Sequence, residues 1–182
     1  MKTQYYTAAS LDGFIADRRN SLDWLFQFGT EMTTDYPEFI KNVGALVMGS
    51  TTYEWILEHH IRAGSDRERP WDYEQPAWVM TSRALPTVTG ADIRFASGDV
   101  TAVHREMCAA AGDKNIWLVG GGDLVGQFHE HGLLDEIIVT IASVTLGAGA
   151  PFLPREVVTP PLKLRSATML TEGFAQLRYD VR

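Results

Sequence analysis

The sequence predicts a single α/β domain whose central sheet is mixed and mostly parallel. Three observations predict it. Short apolar runs with strand character alternate with segments of helical periodicity over most of the chain. Several of those runs stop at glycine or at small hydroxylated residues, as a strand entering a tight turn does. The chain then closes on two β-rich segments, Lys163–Leu170 and Ala175–Val181, joined by Thr171-Glu172-Gly173, a hairpin signature that places the glycine in a left-handed position. With 182 residues, 45% of them hydrophobic, the chain has the length and composition of one buried core.

Each element has a local reason. Tyr5 to Ala9 reads as a first strand, ended by the turn pair Asp12-Gly13. Asp35 is placed as an N-cap, with Pro37 in the first turn and Phe39, Ile40 and Val43 at helical spacing, and Gly44 closing the helix. Ala45-Leu46-Val47-Met48 is a buried strand that stops at Gly49, and a helix resumes over Thr52 to Glu58. The charged stretch Arg62–Glu74, with Gly64 and Pro70, reads as a surface loop. Trp78-Val79-Met80 and Ile93-Arg94-Phe95 are short strands, and a helix over about Val100 to Ala111 leads into the strand at Ile116. Glu136–Ala142 is a β-branched strand. No repeat or linker divides residues 1–182, so one domain is expected.

The stretch Ile116-Trp117-Leu118-Val119-Gly120-Gly121-Gly122-Asp123-Leu124 carries the strongest functional signal. It predicts a buried strand, a turn without side chains and a helix N-terminus. Such a terminus suits a phosphate, and glycine lets the phosphate approach the backbone. The same glycines also serve a plain tight turn. Ala9-Ser10, Gly49-Ser50-Thr51 and Thr81-Ser82-Arg83 likewise follow predicted strands. In open α/β sheets ligands lie beyond the carboxyl ends of the strands, so four such loops on one rim point to a phosphate-bearing ligand.

Charge and cysteine usage exclude several classes. A net charge of −7 without a basic stripe argues against a nucleic-acid surface. The single Cys108 rules out an internal disulfide framework and lies among small apolar residues, where a packed thiol is expected. Met1 to Tyr6 lacks the apolar region of a signal peptide, and no apolar run is long enough to span a bilayer, so a cytoplasmic setting is expected. His59-His60 and the pair His129, His131 diverge on a helix, so no metal is expected.

Taken in order, the motifs resemble the dihydrofolate-reductase-like superfamily, and within it the stand-alone proteins similar to the reductase domain of bacterial riboflavin biosynthesis. They are Ser10-Leu11-Asp12-Gly13-Phe14-Ile15-Ala16, Val47-Met48-Gly49-Ser50-Thr51-Thr52-Tyr53-Glu54, Thr81-Ser82-Arg83, Val119-Gly120-Gly121-Gly122 and Leu146-Gly147-Ala148-Gly149-Ala150-Pro151-Phe152. An ordinary dinucleotide fingerprint, with its three spaced glycines after the first strand, is missing. The resemblance implies a three-layer sandwich and a reductase that uses NADPH. It implies that Ala8, Ile15 and Ala16 hold the nicotinamide carboxamide, and that Gly49, Ser50, Thr51 and Thr52 hold the pyrophosphate and adenosine phosphates. Thr81, Ser82 and Arg83 fall on the adenosine ribose and its 2′-phosphate, and Gly120, Gly121, Gly122, Asp123 and Leu124 wrap the pyrophosphate. Two positions depart from the folate reductases: Ser50 stands where arginine is common, and Asp123 where a base is common. Arg83 is then the evident cation for a 2′-phosphate, and Asp123 is expected to complement the helix that begins there.

The substrate side offers less. A folate-like carboxylate in the first helix matches Glu31 or Asp35, and Trp24 or Trp55 could stack on a planar ring. Thr140, the lone hydroxyl in Ile137-Ile138-Val139-Thr140-Ile141, matches a position that bonds the substrate heterocycle in the family. Asp12, or a water held by Asp12 or Thr140, would deliver the proton that accompanies hydride transfer. The expected activity is hydride transfer to a C=N or C=O bond of a small heterocyclic or sugar-like substrate. Two rivals stand beside it: 5-amino-6-(5-phosphoribosylamino)uracil reductase, for whose ribose phosphate no cationic pocket is evident, and a nucleotide-binding module without catalysis. The resemblance also implies a homodimer built around the C-terminal strands, and the apolar loop Leu146–Leu153 would suit an interface or a pocket rim.

Overall fold

The computed structural model describes residues 1–28, 35–62 and 64–182. Its centre is β1 (Thr3–Ser10), flanked by β6 (Asn115–Gly120) and β7 (Glu136–Ala142), both parallel to it. Beyond β6 lie β3 (Val43–Gly49), β4 (Ala77–Met80) and β5 (Ile93–Ala96), again parallel. Beyond β7 the antiparallel hairpin of β10 (Phe174–Asp180) and β9 (Lys163–Thr171) completes the order β5-β4-β3-β6-β1-β7-β10-β9. This is the mixed, mostly parallel sheet with a terminal hairpin that the periodicity predicts.

Alternation along the strands explains the layers. One face presents Tyr5, Val47, Leu118, Ile137 and Val139 to α4 (Val100–Ala111) and α5 (Gly122–Glu130), whose Val103, Met107, Val125 and Phe128 bury against it. The other presents Leu46, Met48, Val79, Trp117 and Ile138 to α2 (Tyr36–Lys41) and α3 (Ser50–Trp55), the latter continued by a π-helical turn over Ile56–Ile61. Side chains such as Phe128 and Ile137, buried to within 1% of their surface, each contribute about 1.5–3 kcal/mol by leaving water. Cys108 packs at the edge of the first layer, and burial pushes its thiol pKa up, as suits an inert thiol.

Three local expectations are corrected. Gly44 does not close α2, which ends at Lys41 with Asn42 as its C-cap; it lies inside β3, where a β-carbon would meet the Ala111 carbonyl at 2.6 Å. Gly173 has no left-handed backbone, and its space is taken by Phe28, 2.9 Å from where its β-carbon would stand. Asp35 sits at the N-cap of α2 but makes no capping bond with its side chain. Two elements had no sequence signal: the four-residue α1 (Asp23–Phe26), and a small sheet of β2 (Phe14–Ala16) with β8 (Ala150–Pro151).

Candidate functional site

All six parallel strands end on one edge of the sheet, and the loops leaving β3, β4, β5 and β6 enclose a cavity of about 940 Å³ there. Gly49 and Gly121 occupy the N-cap positions of α3 and α5, and neither helix has a side-chain cap. First-turn N–H groups therefore face the cavity without a side-chain partner, between the hydroxyls of Ser50, Thr51, Thr52, Thr81, Ser82 and Ser97.

The three glycines of the β6–α5 turn differ in what they do. Gly120 has φ +143°, a backbone that side-chain-bearing residues rarely adopt, and its peptide to Gly121 is cis. Gly121 is extended (φ −80°, ψ 179°), and a β-carbon there would meet nothing closer than Ile15 Cδ1 at 3.9 Å. The turn therefore demands no unusual φ or ψ at Gly121, and its missing side chain leaves open space in the cavity wall. Gly122 is packed: a β-carbon would come within 2.2 Å of the Pro151 carbonyl oxygen and 2.5 Å of that of Phe152.

The cavity roof joins two distant motifs. Asp12 accepts hydrogen bonds from Ser10 Oγ at 2.6 Å, from the Leu146 amide at 3.0 Å and from the Gly147 amide at 2.7 Å. The Ser10 bond foremost, then the Leu146 amide, hold its carboxyl below the usual carboxylate range. The Phe152 amide donates to the Gly13 carbonyl at 2.9 Å, and β2 pairs with β8 beside it. Ile15, Ala16, Ala150 and Pro151 thereby reach the cavity lining. Asp12 itself does not line it. Engaged by three donors, the Asp12 carboxylate ties the Ser10–Gly13 turn to the Leu146–Gly147 loop and so latches the roof.

Registry places the second cluster. Tyr6 lies opposite Ile138 and Arg178, and Ala8 opposite Thr140 and Gln176, across β1, β7 and β10. Tyr6, Ala8 and Thr140 line the cavity. Behind them Asp35 receives Tyr6 Oη at 3.0 Å, Gln176 Nε2 at 2.8 Å and the Arg178 guanidinium. Burial opposes its charge more than any single partner favours it, yet Gln176, Tyr6 and Arg178 together keep the carboxyl below its ordinary pKa. Asp35 is thus linked to the cavity lining through Tyr6.

Of the sequence-derived site residues, Ala8, Ile15, Ala16, Gly49, Ser50, Thr51, Thr52, Thr81, Ser82, Gly120 to Leu124 and Thr140 all line this one cavity. Asp12, Trp24, Asp35 and Arg83 do not. Trp24 is buried against Ala142 and Phe174, which corrects the expectation that it stacks on a substrate. Glu31 lies outside the described residues. Arg83 donates from both terminal nitrogens to Glu54, at 2.9 and 2.6 Å, an exposed pair worth little to stability. Asp123 is matched at the start of α5 by Gln127 at 3.0 Å and Arg155 at 3.0 Å, which offsets its charge at the rim. Sequence reasoning missed the aromatic part of the lining: Tyr6, Tyr36, Tyr73 and Trp117, alongside Trp55. The available signal was the alternation that turns Tyr6 and Trp117 to the same face as Leu46 and Met48.

A family model described as the RibD C-terminal domain matches residues 67–175. The uncharacterized Bacillus subtilis (strain 168) protein YwjB is 28% identical over 98% of this chain and 97% of its own. A second uncharacterized protein of the same strain, YyaP, is 24% identical over 94% and 90%. Among solved structures, a protein of Shewanella sp. PV-4 provisionally assigned to riboflavin biosynthesis superposes with a TM-score of 0.80 at 24% identity, covering 99% of this chain and 98% of that one. The diaminohydroxyphosphoribosylaminopyrimidine deaminase/5-amino-6-(5-phosphoribosylamino)uracil reductase of Thermotoga maritima gives 0.69 at 16% identity, with 98% of this chain spanning 56% of that one. Dihydrofolate reductase of Enterococcus faecalis, complexed with NADP(H) and RAB-propyl, gives 0.61 at 15% identity over 98% and 95%. The fold is that of the dihydrofolate reductases.

Proposed function

This chain belongs to the RibD C-terminal domain family, and we propose that it is an NADPH-dependent reductase acting on a C=N or C=O bond of a small heterocyclic or sugar-like substrate. The observation that carries the proposal is the open wall at Gly121, set between two helix N-termini without side-chain caps. Backbone N–H groups of the first turns of α3 and α5 and the hydroxyls of Ser50, Thr51 and Thr52 would hold the pyrophosphate. Thr81, Ser82 and Arg83 would hold the adenosine ribose and its 2′-phosphate, and Ala8, Ile15 and Ala16 the carboxamide. Bound there, the cofactor supplies the hydride.

The chain's own residues orient the two partners and exclude water. Thr140 lies in register with Ala8 and lines the cavity, which supports a role for its hydroxyl in holding the water that would deliver the proton. Asp12 contributes by keeping the roof in place. Oxidation of NADPH with a panel of cyclic imines and carbonyl compounds tests the activity; saturable NADPH binding without turnover of any of them would favour a non-catalytic module.

Cofactor choice rests on Arg83, which would exchange its exposed Glu54 partner for the 2′-phosphate at the cavity rim. NADPH should bind more tightly than NADH, and Arg83→Ala should weaken NADPH about tenfold or more, the worth of a lost charge-assisted hydrogen bond, while sparing NADH. Titration calorimetry decides it, and equal affinity of the unmodified protein for the two cofactors would remove Arg83 from the site.

A homodimer through the C-terminal hairpin is also proposed. Strand β9 is the sheet's outer strand and lies mostly exposed, with Leu164 54% and Met169 80% accessible. Apolar side chains on an open strand edge call for a cover. Light scattering should give twice the 20.3 kDa chain mass, and a value near 20.3 kDa refutes the dimer.

A further inference from the structure

Arg83 and Glu54 stand just outside the cavity, each next to residues that line it. Arg83 follows Thr81 and Ser82 in the loop leaving β4, and Glu54 follows Thr52 in α3. Both terminal nitrogens of the guanidinium donate to the Glu54 carboxylate, Nη1 to Oε1 at 2.9 Å and Nη2 to Oε2 at 2.6 Å. This is the parallel two-bond arrangement that an arginine offers to a planar anion. The Arg83 backbone does not depend on it. Its amide donates to Thr81 Oγ1 at 3.0 Å. The same loop is tied to α3 a second time by the fully buried Tyr53, whose hydroxyl donates to the Pro86 carbonyl at 2.6 Å. Glu54 therefore acts on the guanidinium and not on the course of the chain.

From this geometry we infer that Glu54 is a specificity-determining residue for the cofactor: its carboxylate competes with the 2′-phosphate for Arg83 and holds down the preference for NADPH over NADH. The inference rests on the assignment of Arg83 to the 2′-phosphate. A carboxylate and a phosphate use the same two-donor edge of a guanidinium, so one displaces the other. Once Arg83 turns to the phosphate, Glu54 is left as an unpaired anion beside a dianion. The lost pair and the new repulsion both fall on NADPH alone, because NADH carries no 2′-phosphate. Side-chain accessibilities of 55% for Arg83 and 42% for Glu54 mean that water screens both effects. The result is a reduced preference and not exclusion of NADPH.

Glu54→Gln tests it, because glutamine keeps the length of the side chain and one acceptor oxygen but removes the charge. Titration calorimetry on the full chain should show NADPH binding about five- to tenfold more tightly to this variant, the size expected of one exposed pair and one screened like-charge contact, with NADH affinity unchanged. Glu54→Ala should act in the same direction, since Thr81 holds the Arg83 backbone without it. Arg83→Ala should remove most of the gain when combined with Glu54→Gln. The inference is overturned if Glu54→Gln leaves NADPH affinity unchanged or weakens it, if NADH gains equally, or if the full gain survives Arg83→Ala. It is also overturned if Glu54→Ala weakens NADPH, which would make Glu54 a support for Arg83. Arg83→Ala alone separates the two proposals. If it weakens NADPH while Glu54→Gln brings no gain, the Arg83 assignment stands and the inference fails; if it leaves NADPH affinity unchanged, the assignment falls and the inference with it.

Discussion

Gly121→Val should give a folded protein that no longer binds NADPH. The φ and ψ at Gly121 are ones that valine adopts, and the nearest atom to a β-carbon is 3.9 Å away. The new side chain therefore costs the fold little and fills the space beside the first turn of α5. A pyrophosphate held by those N–H groups would be displaced, and affinity should fall by at least about a hundredfold, the order expected when several charge-assisted hydrogen bonds are lost together. Thermal melting and calorimetry on one sample decide it. Retained folding with normal NADPH binding would reduce the glycine turn to a structural device and remove the main support for the cofactor site.

Its neighbour should behave in the opposite way. Gly122→Ala introduces a single methyl group 2.2 Å from one backbone carbonyl and 2.5 Å from the next, both in the segment that carries β8. Backbone cannot step aside as a flexible side chain does, so α5 or the roof must shift. A cost of about 3 kcal/mol is expected, at the upper end for overpacking. For a chain of this length that lowers the melting temperature by roughly 6–12 °C. A melt within about 2 °C of the unmodified protein would show that the contact between α5 and the β8 segment yields easily.

These two variants also show where the sequence was legible. It read the three glycines as one motif, and the motif does fall on the cavity. What it could not separate is that Gly120 supplies a backbone shape, Gly121 an open wall and Gly122 a packing contact, because the last two depend on a space and on the carbonyls of Pro151 and Phe152, far along the chain. Elements with strong periodicity were read to the residue: α4 runs Val100–Ala111 and β7 Glu136–Ala142, as their spacing predicts. The β2–β8 pairing involves too few residues to leave a pattern. Asp35 reads locally as a helix cap, yet Gln176 and Arg178, 141 and 143 positions away, claim its carboxylate. The aromatic part of the lining stayed hidden for a related reason. Alternation assigns Tyr6 and Trp117 to a face of the sheet, and only the assembled fold reveals that this part of the face is left uncovered as a cavity wall.

The position of β1 bears on how the chain reaches this state during synthesis. Thr3 pairs with Ile116, and Gln4 pairs with both Trp117 and Glu136, so the central strand emerges from the ribosome more than a hundred residues before either neighbour. Until then Tyr5, Ala9 and the rest of its apolar residues have no native partner. Loop closures this long slow folding and extend the time during which an unpaired strand is open to wrong partners. Only β3, β4 and β5 can pair with one another beforehand, and β6 must then be laid between that unit and β1. The cavity, which opens on both sides of β6, is consequently completed late, when the two parts of the sheet are joined.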